Sequence, residues 1–294
     1  MVRETSISRV LDAPRERVWQ AWTESEQLKR WFMPHGFTVP ECEVDLRPGG
    51  RLHMIVQAPD GSEMENDGTF EEIEAPSRLV LTTSAFHGPD GTPMLEVRNT
   101  VTFDDVDGKT ELRIHAVVTK ASPEVAAPLA GMQEGWLQSL DKLDALLTGG
   151  EPTSAPRQLV ATRVLDAPRE TVWKAYTDRE QLAKWWPPPR QTIDTEEFDV
   201  RPGGTWRSTL HGAHGDLEQT LTYVVVQEPQ MLAYLYEPGR VFTTIELADD
   251  GGKTTVTVTL AFASAEERTR MVEENWAQQG LEGSLDRLAG FLGA

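Results

Sequence analysis

The chain of 294 residues carries 28 Lys plus Arg against 47 Asp plus Glu, a net charge of −19 shared by both halves. A negative field over the whole surface repels phosphate backbones, which argues against nucleic acid as a partner. The one cysteine, Cys42, cannot form an internal disulfide, and no apolar run reaches membrane-span length, so a soluble, cytoplasmic protein is expected.

Ile7 to Leu11 reads as a short strand. Asp12 and Pro14 then mark a helix start, with Val18, Trp19 and Trp22 on one face. Thr23-x-x-Glu26 reads as a capping box that opens a second short helix bearing Leu28 and Trp31, and Pro34 stops it. Strands follow, separated by Pro48-Gly49-Gly50, Pro59-Asp60-Gly61, Ala75-Pro76, Gly88-Pro89-Asp90-Gly91 and Asp107-Gly108. Val125, Leu129, Met132, Trp136, Leu140, Leu143 and Leu147 then recur at spacings of three and four, the apolar stripe of one long helix. Pro128 and Gly131 predict a late start or a kink in it.

After a linker over 148–156, rich in Gly, Pro, Ser and Thr, the chain begins again. Arg9 to Pro34 returns as Arg163 to Pro188 with seventeen of twenty-six residues identical at a constant offset of 154. Asp45-Leu-Arg-Pro-Gly-Gly50 returns as Asp199-Val-Arg-Pro-Gly-Gly204 at the same offset. A period this long makes each copy a domain with its own core, copy one over 1–147 and copy two over 157–294. Copy two offers Thr177-x-x-Glu180 as a second capping box. Its terminal helix is expected to be capped by Ser264-x-x-Glu267 and to carry Val272, Trp276, Leu281, Leu285, Leu288 and Leu292.

The expected fold class is α+β, two tandem domains. Each is a curved antiparallel β-sheet of about six or seven strands wrapped around a long C-terminal α-helix, with two short helices after the first strand. The carrying residues in copy one are Asp12-Ala-Pro14, Val18-Trp19, Leu28, Trp31, Arg47-Pro-Gly-Gly50, Pro59-Asp-Gly61, Gly68-Thr-Phe-Glu-Glu-Ile73, Arg78-Leu-Val80 and Gly135-Trp136 with Leu140 and Leu143. On these, each half resembles the START-like helix-grip superfamily (SRPBCC, or Bet v-like). Within it, the halves look most like the family named for the C-terminal domain of the heat-shock protein 90 ATPase activator. Copy two departs where Leu281 replaces Trp136, Ala213-His-Gly215 replaces Pro59-Asp-Gly61, and Leu221 stands for Gly68. The resemblance implies a hydrophobic cavity that carries lipids, sterols or polyketides in different members and sometimes performs chemistry. The family name implies a chaperone as partner.

Chemistry-bearing residues are sparse. His53 and His115 share the outward face of their strands with Arg51 and Arg113, and no histidine recurs at the matching position of the other copy. His211-x-x-His214 lies in a Gly-rich turn with Asp216 as its one nearby carboxylate, too few ligands for a metal site, so no metal is expected. Cys42 sits between Glu41 and Glu43, which disfavours a thiolate. The Pro-Gly-Gly turns open strands and precede no helix, so they are not phosphate loops, and no cofactor is expected.

Strand alternation supplies the candidate site. Leu52, Met54 and Val56 face inward, matched by Trp206, Ser208 and Leu210. Val97, Asn99, Val101 and Phe103 do the same, matched by Val241, Thr243, Ile245 and Leu247, so Asn99 and Thr243 are lone polar groups on apolar faces. Val80, Thr82 and Ser84 are set against Leu232, Tyr234 and Tyr236; if these point inward, copy two has a narrower, more aromatic pocket, and the change from Trp136 to Leu281 works in the opposite direction. The candidate walls are Trp22, Met54, Phe103, Trp136 and Leu140 in copy one, with Asn99 to orient a guest. In copy two they are Tyr176, Trp206, Tyr234, Tyr236, Leu285 and Thr243. The expected function is non-catalytic binding of an apolar or aromatic small molecule, as carrier or sensor. Two alternatives are a chaperone cofactor acting through an outer surface, and a cavity enzyme (cyclase, dehydratase or hydrolase), for which Glu71 is a one-copy candidate acid or base.

Overall fold

A computed structural model describes residues 4–213, 215–237, 241–274 and 277–293. The chain divides into two units, Met1–Ser154 and Ala155–Ala294. In the first, β1 (Glu4–Leu11) leads into α1 (Arg15–Thr23) and α2 (Ser25–Trp31). Six strands follow: β2 (Thr38–Val44), β3 (Arg51–Gln57), β4 (Glu63–Glu74), β5 (Arg78–His87), β6 (Pro93–Val106) and β7 (Lys109–Ala121). One 3-10 turn at Pro123–Val125 then enters α3 (Ala126–Thr148). The second unit repeats this with β8 (Gln158–Leu165), α4 (Arg169–Thr177), α5 (Arg179–Trp185), β9 (Thr192–Phe198), β10 (Thr205–Gly212), β11 (Gly215–Gln227), β12 (Met231–Glu237), β13 (Val241–Asp250) and β14 (Lys253–Ala261). It closes with α6 (Ala265–Glu273) and α7 (Ala277–Leu292).

Each unit holds one seven-stranded antiparallel sheet, ordered β1-β7-β6-β5-β4-β3-β2 and β8-β14-β13-β12-β11-β10-β9. The first strand returns to pair with the last, so the long terminal helix lies across a single curved surface. Leu129, Leu140 and Leu143 of α3, and Leu285 and Leu288 of α7, are fully buried there. Among the described residues no helix is long and apolar enough to cross a membrane.

The repeated motifs are fasteners of this frame. The Ala13 and Ala167 carbonyls of the two Asp-Ala-Pro turns each accept a 2.7 Å hydrogen bond from a buried threonine, Thr110 and Thr254. The indoles of Trp31 and Trp185 donate to the Ala21 and Ala175 carbonyls at 2.9 Å, tying α2 to α1 and α5 to α4. In the Arg-Pro-Gly-Gly turns, Gly49 (φ +77) and Gly203 (φ +78) occupy the left-handed region, and a Cβ on Gly50 or Gly204 would fall 1.9 or 2.2 Å from the Asp45 or Asp199 carbonyl. These turns clip the bulged strands β4 and β11 through paired bonds to Phe70 and Tyr223.

Three local expectations are corrected. Thr23 and Thr177 do not cap the second helices; their hydroxyls turn back to the Trp19 and Trp173 carbonyls at 2.9 Å. The cap of α5 is Asp178, one residue later, whose carboxylate accepts from the Glu180 and Gln181 amides, whereas Glu24 caps α2 without a side-chain bond. The terminal helix of copy two is broken into α6 and α7. Ser264 does cap α6, but α6 buries no residue fully; its apolar pair Met271 and Val272 packs half-buried against the core, and the fully buried stripe begins at Leu281. Trp276 and His214 lie outside the described residues. Finally, β5 is shifted by one from the expected phase: Leu79, Leu81 and Thr83 pair with Val101, Asn99 and Val97 on the inward face. Val80, Thr82 and Ser84 occupy the opposite face, since a slip of one residue reverses every side chain.

A candidate ligand cavity in the second unit

In the second unit the sheet, α4 and α7 enclose a cavity of about 380 Å3. The wall from the sheet comes from Gln219, Tyr234, Tyr236, Val241, Thr243, Ile245, Val258 and Leu260. Tyr176 of α4 enters from the short helices, and Leu281, Ser284, Leu285 and Arg287 from α7. Trp186 and Pro188, just past α5, complete the rim beside Leu210.

The walls hold themselves in place. Tyr176 stands edge-on to Trp185 at 5.0 Å, Trp186 edge-on to Trp206 at 5.0 Å, and Tyr223 edge-on to Tyr234 at 6.1 Å. All four tyrosines of the chain lie in copy two, and burial pushes the phenols of Tyr176, Tyr223, Tyr234 and Tyr236 above their ordinary value. They are therefore neutral hydrogen-bonding groups at physiological pH. The Tyr236 hydroxyl donates to Gln219 Oε1 at 3.3 Å, and Gln219 Nε2 donates to Ser208 Oγ at 3.0 Å, a buried polar chain at one side of the cavity. Thr243 stands within hydrogen-bonding reach of the Tyr234 phenol, while the Tyr176 hydroxyl has no partner among the described residues.

Of the residues expected at the site in copy two, Tyr176, Tyr234, Tyr236, Thr243 and Leu285 line the cavity. Trp206 does not. It is 1 % exposed, packs under Trp186 and Phe198, and donates through Nε1 to Thr195 Oγ1 at 3.2 Å. Gln219, Trp186 and Arg287 were not anticipated. Strand pairing opposite the inward Ser208 would have pointed to Gln219.

The copy-one residues meet one another. Trp22 stacks on Trp136 with ring centroids 6.0 Å apart and planes 18° apart, and touches Trp31, Phe32 and Phe103 at 4.8, 6.2 and 5.9 Å. Met54, Phe103 and Leu140 are 0 % exposed. Trp22, Met54, Phe103 and Trp136 give way to the smaller Tyr176, Ser208, Leu247 and Leu281 at matching positions, whereas Leu52, Gly68, Leu81 and Thr83 give way to the larger Trp206, Leu221, Tyr234 and Tyr236. Asn99 donates from Nδ2 to Thr83 Oγ1 and to the Val97 carbonyl, both at 3.1 Å. Its Oδ1, the Trp22 indole Nε1 and the Asn66 Oδ1 are buried without a partner among the described residues. These are the positions of Thr243, Tyr176 and Gln219, the polar lining of copy two.

The outward groups are engaged on the far face of the sheets. His53 Nδ1 and Arg51 meet Asp67 at 2.7 and 2.8 Å. Glu71 accepts from Thr82 at 2.6 Å and Arg98 at 2.8 Å, remote from either interior. His211 lies between Asp216 and Asp194, and its hydrogen bond to Asp216 raises its pKa. Among the described residues no group of three His, Cys, Asp or Glu is placed to hold a metal. Burial pushes the Cys42 thiol up to about 11.

Two helix-grip domains in tandem define the class. The family model described as "Activator of Hsp90 ATPase homolog 1-like protein" matches residues 12–148 and again 166–293. The chain belongs to that family, with one member domain in each copy. Solved structures similar to it each span about one copy. A protein from Chromobacterium violaceum is 28 % identical, covers 50 % of this chain and 98 % of its own, with a TM-score of 0.43. One from Nitrosomonas europaea is 27 % identical over 50 % of this chain and 95 % of its own, with a TM-score of 0.42. A protein titled AHSA1-like, from Aeromonas hydrophila, is 27 % identical over 50 % of this chain and 92 % of its own, with a TM-score of 0.39. No curated protein matches the chain.

Proposed function

We propose that the protein binds an apolar or aromatic small molecule, without transforming it, in the cavity of copy two, and serves in the cytoplasm as a carrier or sensor. The observation that carries this reading is the cavity itself: about 380 Å3 between sheet and terminal helix, walled by aliphatic side chains, Trp186 and three neutral tyrosines. That volume lies in the range of about 300–1,000 Å3 usual for small-molecule sites. Its described lining contains no Asp, Glu or His to act as general acid or base, which favours binding over a cavity enzyme. The chaperone reading rests on the family name; pull-down with a heat-shock protein 90 homologue and an ATPase assay test it separately.

Leu281→Trp places in copy two the indole that Trp136 supplies in copy one. A hydrophobic ligand, found by native mass spectrometry of the purified chain or by thermal-shift screening, is expected to raise Tm of the wild type and not of this variant. A rise of the same size in both would reject the cavity as the site.

A further inference from the structure

Among the described residues that line it, the cavity of copy two has one cation and no anion. Arg287 of α7 is the charged member of its described lining. Two of its donors are committed: Nε bonds the Trp185 carbonyl at 3.0 Å and Nη2 the Trp186 carbonyl at 3.2 Å. Those are end-of-helix carbonyls of α5, where a cation is favoured by the dipole. A guanidinium has five N–H donors in a rigid fork, and Nη1 bonds no described residue. It lies along α7 beside Gly283, where even a Cβ would come to 3.5 Å.

No described carboxylate neutralises this charge. The adjacent Asp286 is turned away into an ion pair with Arg163, and the half-buried guanidinium keeps its charge because arginine does not deprotonate in proteins. A partly desolvated charge without a counter-ion is unfavourable, and is relieved by an anion that reaches it with good hydrogen-bond geometry. Copy one shows which half of the role is scaffold. Lys142, at the matching position, also holds an end-of-helix carbonyl, that of Met33 at 2.9 Å. Nearby, Trp136 and Phe32 pack ring to ring at 5.5 Å, so the space that lies open in copy two is taken. Copy two adds the spare guanidinium edge, on a residue that lines the cavity.

We infer that the ligand of copy two is an amphipathic monocarboxylate, an aryl or alkyl acid, with its apolar body between α7 and the sheet and its carboxylate on the free edge of Arg287. The inference rests on the binding reading above and narrows it. A planar carboxylate matches the fork. The chain's charge of −19 repels polyanions most strongly and is screened beyond about 8 Å at physiological salt, leaving a single short-range contact effective for a single charge.

The test is a matched pair, 2-naphthylacetate and its neutral amide 2-naphthylacetamide, titrated by calorimetry. The wild type is expected to bind the acid about tenfold more tightly than the amide, a difference of about 1.4 kcal/mol. Arg287→Gln should bring the acid down to the amide's affinity and leave the amide within about twofold of its wild-type value, which also shows that the variant is folded. Equal binding of acid and amide by the wild type overturns the carboxylate inference alone and leaves the binding reading standing. A parallel loss of both ligands in Arg287→Gln reduces Arg287 to a helix clamp and likewise overturns it. Failure of the wild type to bind either probe removes the binding reading, and the inference with it.

Discussion

Trp22 and Tyr176 leave equivalent helices for equivalent spaces and find different surroundings. Trp22 meets Trp31, Phe32, Phe103 and Trp136, a cluster of rings that fills the gap between sheet and α3. Tyr176 meets Trp185 and then the cavity. The shared part of the two units is the frame: the Thr-to-Ala bonds, the indole-to-carbonyl bonds and the Pro-Gly-Gly clips recur atom for atom. The divergent part is the interior surface. A sheet held by its own ladder and clips keeps its curvature while inward side chains change volume, so the two copies can line their interiors differently on the same backbone.

The largest test of a shared frame is to remove its plugs. Trp31→Ala and Trp185→Ala should each cost about 3–5 kcal/mol of stability by denaturant unfolding, and a clear inequality between them would break the equivalence. Next comes the alkaline limb. The tyrosines' folded pKa values lie above the ordinary value of 10, so below that pH both folded and unfolded chains keep the proton. Above it the unfolded chain ionises first, and stability falls with rising pH by up to about 1.4 kcal/mol per unit for each phenol still held neutral. Tyrosinate absorbance should therefore appear together with unfolding of copy two; free titration without unfolding would show the phenols to be wet.

Trp136→Leu sharpens the comparison from the other side. It should cost about 1–3 kcal/mol and open a gap in copy one, detected as a second equivalent of a bound aromatic probe; a stoichiometry unchanged at one would mean that Phe32 and Trp22 collapse into the space. The smallest effect is expected at Asn99→Leu. It breaks the bond to Thr83 but removes the unpartnered Oδ1, so stability should change by less than about 1 kcal/mol. A loss several times larger would mean that Oδ1 has a partner.

The order of elements was legible because periodicity and turn residues act locally, and the repeat supplied two readings of each. Phase failed on β5, where Leu79-Val80-Leu81 is apolar on both faces and alternation has nothing to register against; pairing with β6 settles it. The helix break was hidden because Ser264 and the later leucines fit one helix, while the polarity of α6 becomes decisive only against a sheet. Tyr234, Tyr236, Thr243 and Leu285 could be named from alternation and heptad-like spacing. Gln219 alternates with Leu221 and Tyr223 opposite the inward Ser208 and could have been named the same way, whereas Trp186 and Arg287 could not be placed, since a segment past a helix end and a long flexible side chain reach the cavity by routes with no sequence period.

What the amino-acid order determined by itself is therefore the frame, with its duplicated strands, helices and clips, because each depends on neighbours a few residues away or on an alternation that survives duplication. That a cavity opens in copy two, and that Arg287 lines it, was decided only in three dimensions. A cavity is a small remainder left when the volumes of side chains distant in the chain are packed against one another, and no local pattern records that remainder.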